Sequence, residues 1–96
     1  MNSNISCEQL KQLLEKGAQL IDVRSTMEFN QGALSGAVNL PIDTIQHNTG
    51  SIDKTKPVLL YCRSGHRSGA VQQFLISLGF QDVYNIGSYT NYAFCQ

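Results

Sequence analysis

Cys62-Arg63-Ser64-Gly65-His66-Arg67-Ser68 gathers a thiol, two guanidinium groups, an imidazole and two hydroxyls into one short segment. Gly65 stands in its middle, where a tight curve calls for a backbone angle that other residues resist. A loop of this kind turns N–H groups inward, and a helix beginning behind it adds partial positive charge. Arg63 and Arg67 give the segment a formal charge of +2, although seven basic and seven acidic side chains cancel over the whole chain. His66 can add to that charge. Each of these effects favours a thiolate, so the Cys62 pKa is expected below the free value of about 8.5. Such a thiolate can attack a phosphoester, attack a sulfane sulfur or form a disulfide. A cysteine behind an apolar strand is most often plain core, but core is not normally followed by two arginines.

The elements that must position this loop are readable on either side of it. Pro57-Val58-Leu59-Leu60-Tyr61 is a continuous apolar run, as expected of a central parallel strand buried on both faces. Cys62 then falls at the carboxyl end of that strand, where open parallel sheets bind ligands. A helix is expected from about Ser68 to Leu78, with Ser68 as its N-cap and Ala70, Val71, Phe74, Leu75 and Leu78 on one stripe. Gly79 is placed to end it with a left-handed residue.

Upstream, Ser6 to Gln9 fits a capping box and opens a helix that Gly17 ends, with Leu10, Leu13 and Leu14 on one face. Strands are expected at Leu20-Ile21-Asp22-Val23 and at Ala37-Val38-Asn39-Leu40, the second closed by Pro41. Between them Ser25 to Glu28 repeats the capping box and opens a brief helix ending near Gly32. A helical turn from Ile42 to Ile45 leads into a polar surface loop, Gln46 to Lys56. Asp82-Val83-Tyr84-Asn85-Ile86 reads as a last strand. Short strands alternating with helices imply an α/β domain with a central, mostly parallel sheet flanked by helices.

The chain has 96 residues, the size of one domain, expected to span 1–96. The balanced charge shows no field for nucleic acid, and no apolar run approaches the roughly 18 residues of a membrane span. The start, Met1-Asn2-Ser3-Asn4-Ile5-Ser6, lacks the basic and apolar segments of a secretory signal. A cytoplasmic location is expected, or a periplasmic one if a signal has been removed. The three cysteines, Cys7, Cys62 and Cys95, are odd in number, far apart and without a CxxC pair, which argues against a disulfide framework and against zinc. Cys7 and Cys95 are expected to be bystanders. Tyr84, Tyr89 and Tyr92 fit either a site rim or ordinary packing.

The Cys62-to-Ser68 loop resembles the active-site loop of single-domain rhodaneses, the thiosulfate sulfurtransferase family. Two further blocks are similar to that family: Leu20-Ile21-Asp22-Val23-Arg24 with Glu28-Phe29, and Gly36-Ala37-Val38-Asn39-Leu40-Pro41. The likeness runs from about Ile5 to Gly87, and the small phage-shock-type rhodaneses are the nearest in kind. It implies a rhodanese-like α/β fold and a ping-pong transfer without a cofactor or metal. Cys62 takes the outer sulfur of thiosulfate as a persulfide and passes it to cyanide or a thiol. Arg63, Ser64, Gly65, His66, Arg67 and Ser68 border the anionic donor. Asp22 and Arg24 support the loops by pairing with each other or with Glu28, and the protein is expected to be a monomer. The chain departs from the family pattern at Ala33, at Gly87-Ser88 and at Asn91-Tyr92.

Rival readings are a persulfide carrier for a partner protein, a binding module without catalysis, and a rhodanese-related phosphatase. Phosphatase loops of that kind resemble Cys-x5-Arg, whereas Cys62 to Arg67 is Cys-x4-Arg, a tighter ring that suits one sulfur atom. A non-catalytic module would be expected to lose the cysteine or the cationic loop, and this chain keeps both.

Overall fold

The computed structural model describes residues 5–95; Met1 to Asn4, read above for a secretory signal, lie outside them. Among the described residues, four parallel strands form one sheet in the order β2-β1-β3-β4: β1 Gln19–Asp22, β2 Val38–Asn39, β3 Val58–Cys62 and β4 Val83–Ser88. The helices are α1 Cys7–Glu15, α2 Thr26–Gln31 and α3 His66–Ser77. No helix among the described residues is long and apolar enough to cross a membrane.

Strand β3 is buried along its whole length, between β1 and β4, as its unbroken apolar sequence requires. Its side chains alternate between two cores. Val58, Leu60 and Cys62 face Val71 and Leu75 of α3, with Ile21, Val23, Phe80 and Val83. Leu59 and Tyr61 face the other way, toward Leu10 of α1, Leu34, Ile86 and Tyr92. Burying each large aliphatic side chain here contributes roughly 1.5–3 kcal/mol.

The capping boxes form as read: Ser6 caps α1 with Gln9 answering, and Ser25 caps α2 with Glu28 answering. Gly79 takes a left-handed angle, φ +95°, just past α3. Three expectations need correction. Helix α3 starts at His66, two residues before the expected Ser68, because Gly65 (φ +93°) turns the chain directly into the helix. Ser68 is therefore not the N-cap. Its stripe also differs: Ser68, Val71, Gln72 and Leu75 are buried, whereas Ala70 and Leu78 are exposed. The stretch after Ile42 is no simple polar loop, since 3-10 turns at Ile45–His47 and Thr49–Ser51 deliver Ile45 and Ile52 to the core.

The third correction concerns the cysteines. Cys7 and Cys95 are joined by a disulfide across 88 positions of sequence, with Cα atoms 5.4 Å apart. Spacing hides the pair, but α1 and the C-terminal turn pack on the same side of the sheet, around Leu10 and Tyr92. Cys62 is the free cysteine, and it is buried.

Candidate active site

At the end of β3 the chain must leave a buried strand and enter α3 within three residues. Gly65 makes this possible: its left-handed angle turns the backbone, and a Cβ there would stand 3.3 Å from Gly87 Cα. The resulting turn closes around Cys62 Sγ. Gly65 N–H donates to the sulfur at 3.0 Å, while Ser68 N–H and Ser68 Oγ each lie at 3.4 Å. Burial pushes the thiol pKa up. The Ser68 hydroxyl and the N–H groups of Ser68, Ser64 and Gly65 outweigh it, so the net shift is downward. The sulfur thus faces a cup of donors at the start of α3, and such a cup holds an anion.

The other loop residues take distinct places. Arg63, Ser64 and His66 are exposed, with Ser64 Oγ accepting a long bond from His66 N–H at 3.4 Å. Arg67 is half-buried and forms a two-pronged pair with Glu28, at 2.7 and 3.0 Å. That pair, with help from the Cys62 charge, raises the Arg67 pKa, and Arg67 in turn lowers Glu28 to about 2. Glu28 therefore does two jobs, closing the α2 cap and offsetting one of the two positive charges counted from the loop sequence.

Asp22 and Arg24 pair with each other rather than with Glu28. Arg24 Nη2 lies 2.6 Å from Asp22 Oδ2, and it also donates to Gly32 O at 2.7 Å. The guanidinium lies over the Tyr89 ring at 4.5 Å, and Tyr61 and Tyr89 stack at 6.2 Å. Both charged residues are buried, so this cluster braces the ends of β1 and α2 rather than meeting solvent. Tyr92 belongs to the core, with its hydroxyl donating to Ile86 O at 2.8 Å.

Two residues that hold the loop escaped the sequence reading. Asn85 sits in β4 with only 8% of its surface exposed, and both ends of its carboxamide are hydrogen-bonded. Its Nδ2 donates to Gly65 O at 2.9 Å, and its Oδ1 accepts from Ser68 Oγ at 2.7 Å and from Gly87 N–H at 3.1 Å. The last bond fixes the bulge that shifts the β3–β4 register after Leu60 and brings Gly87 beneath Gly65. A polar amide inside the apolar run Val83-Tyr84-Asn85-Ile86 was the available signal. Ser88, one of the departures from the family pattern, donates its hydroxyl to Arg63 O and so ties down the outer edge of the loop.

A family model described as rhodanese-like domain matches residues 6–94 of this chain. The chain belongs to the rhodanese-like family. Among curated rhodaneses it is 36% identical over 84 residues to thiosulfate sulfurtransferase GlpE of Shewanella oneidensis, covering 86% of this chain and 83% of that protein. It is 32% identical to the GlpE of a Pseudomonas aeruginosa strain over 82 residues, covering 85% of this chain and 74% of that one. Among solved structures, a human single-domain sulfurtransferase superposes with a TM-score of 0.76 at 26% identity, covering 93% of each chain. A rhodanese with anions from E. coli gives 0.72 at 28% identity, over 78% of this chain and 91% of its own. These likenesses agree with the α/β fold described above.

Proposed function

We propose that this rhodanese is a thiosulfate sulfurtransferase that carries a sulfane sulfur on Cys62 as a persulfide. The observation that carries the reading is the donor cup around Cys62 Sγ, with Gly65 N–H at 3.0 Å and both polar groups of Ser68 at 3.4 Å. The thiolate attacks the outer sulfur of thiosulfate; the S–S bond of the donor breaks and sulfite leaves with its electron pair. Cys62 then bears –S–S⁻, whose outer sulfur cyanide attacks, releasing thiocyanate and restoring the thiolate. A thiol acceptor takes the same sulfur as its own persulfide. A preformed thiolate needs no separate general base, which fits a sulfur faced by the N–H groups of Gly65 and Ser68 and by the Ser68 hydroxyl.

In this reading Arg63 and His66, exposed at the rim, draw the anionic donor in, and Ser64, Gly65 and Ser68 border it. Arg67 contributes a charge that Glu28 partly cancels. The chain acts as a one-domain monomer in the cytoplasm, with no nucleic-acid or membrane partner. In that compartment a disulfide such as Cys7–Cys95 is expected to be reversible rather than permanent.

Intact mass tests the reading directly. Thiosulfate should add one sulfur to Cys62, and cyanide should remove it with formation of thiocyanate. Cys62→Ser should lose both steps while keeping its fold. A phosphoester hydrolysed through a phosphocysteine, with no sulfur adduct, would replace this reading with the phosphatase one. An adduct that only a partner protein discharges would make the protein a carrier.

A further inference from the structure

We propose that the Cys7–Cys95 disulfide is a second, reducible redox site, opened by small thiols that attack Cys95 and expel Cys7. Both cysteines are half-buried rather than sealed in the core. A cavity of about 460 Å³ opens directly against the bond, lined by both cysteines and by Leu10, Lys11, Leu14 and Ser35 among others. That space admits a small thiol to the bond while the protein remains folded. A staple sealed in the core would offer no such approach.

The two sulfurs are not equivalent. Cys7 is the first residue of α1, where the helix leaves N–H groups unpaired and partial positive charge collects. Cys95 closes a short 3-10 turn near the other end of the chain. The unpaired N–H groups at a helix start stabilise a thiolate there, so Cys7 is the better leaving group. Attack at Cys95 Sγ therefore breaks the bond with the electron pair on Cys7 and leaves a mixed disulfide on Cys95. A second thiolate then attacks the incoming sulfur, frees Cys95 as a thiolate and leaves as a disulfide. With a dithiol both steps come from one molecule. A disulfide of the same class reverses the sequence and closes the bond again.

The cavity also carries a charge preference, since Glu8 and Glu15 face it with Lys11 as the one base among its lining residues. Neutral or cationic thiols should therefore react faster than anionic ones of equal thiolate content. Opening the bond loosens the segment from Tyr89 to Cys95 without detaching it. Tyr92 still bonds Ile86 O and accepts from Ile5 N–H, and Tyr89 still covers Arg24. Ser88, immediately before that segment, holds Arg63 O, so the loosening reaches the outer edge of the Cys62 loop.

The test uses the full chain carrying Cys62→Ser, oxidised in a dithiol–disulfide buffer, so that no third thiol confuses the count and the outcome is independent of sulfur transfer. Without denaturant, 2-mercaptoethanol, cysteamine and 3-mercaptopropionate are added in turn, and samples are quenched, alkylated and mapped by peptide mass. The expected result is a mixed disulfide on Cys95 with alkylated Cys7. Its rate should rise linearly with thiol, and rates corrected for thiolate content should be several-fold lower for 3-mercaptopropionate than for cysteamine. Hydrogen exchange in 89–95 should rise on reduction while that of β3 stays unchanged. The proposal is overturned by an adduct on Cys7 instead, by failure of the bond to form in the oxidising buffer, or by a reduction rate that levels off at the rate of global unfolding.

Discussion

Ser68→Ala isolates the weakest-looking part of the sulfur cup. Ser68 Oγ lies 3.4 Å from Cys62 Sγ and 2.7 Å from Asn85 Oδ1, yet the hydroxyl has a single proton to give. When Cys62 is a thiol, that proton belongs on the Asn85 oxygen, the closer acceptor. When Cys62 ionises, the charge competes for it, and Asn85 Oδ1 still keeps Gly87 N–H at 3.1 Å. A hydrogen bond to a charged group contributes roughly 1.5–3 kcal/mol, and a neutral one about 1. The long S···O distance takes the first figure at its low end, so the exchange stabilises the thiolate by about 0.5 kcal/mol. At about 1.4 kcal/mol per unit, Ser68→Ala should raise the Cys62 pKa by about a third of a unit. The backbone donors Gly65 and Ser68 remain, which keeps the shift small. The assay is iodoacetamide alkylation against pH on the oxidised protein, in which Cys62 is the free thiol. Sulfur transfer from thiosulfate should fall about twofold well below the midpoint and converge with the parent above it. A midpoint that does not move, or that falls, would show that the hydroxyl proton never reaches the sulfur.

Glu28→Gln keeps the α2 cap but removes the pair with Arg67, and the freed charge should lower both the Cys62 midpoint and the KM for thiosulfate. Glu28 has a depressed folded pKa, near 2 against 4.5, so its contribution is full above about pH 4.5 and disappears as pH falls toward 2. Because the pair is partly exposed, the loss at pH 7 should be about 1 kcal/mol in urea melts, closing over that window; an equal gap at pH 2 would contradict the assignment. Asn85→Ala strips three bonds from a buried amide and should cost about 2 kcal/mol, lowering Tm by roughly 8–16 °C. A change under 1 °C in a thermal melt would mean that Gly69 N–H, which also bonds Gly65 O, holds the loop alone. Reducing the Cys7–Cys95 bond releases a loop that spans nearly the whole chain, and Tm should fall by an amount corresponding to about 2–4 kcal/mol. The same melt of Cys95→Ser should be insensitive to reductant.

The sequence by itself determined the parts of this protein that local chemistry controls. Two capping boxes, the apolar run of β3 and the glycines at 65 and 79 act over a few neighbouring residues, and the elements they imply are present. The thiol, the loop glycine and the following helix were likewise legible, since strand, turn and helix follow one another in the chain. Even there, one backbone angle decided the outcome. The left-handed Gly65 starts α3 at His66, and Ser68 moves from cap to sulfur ligand. What lies across the sheet was decided only by the tertiary structure. Glu28 meets Arg67 across 39 positions, Asn85 meets Gly65 across 20, and Ser88 reaches Arg63 across 25. Cys7 and Cys95 show the same limit most plainly, because their spacing carries no signal at all. They bond because two elements at opposite ends of the chain bury their apolar faces against the same side of one sheet, and burial is indifferent to sequence distance.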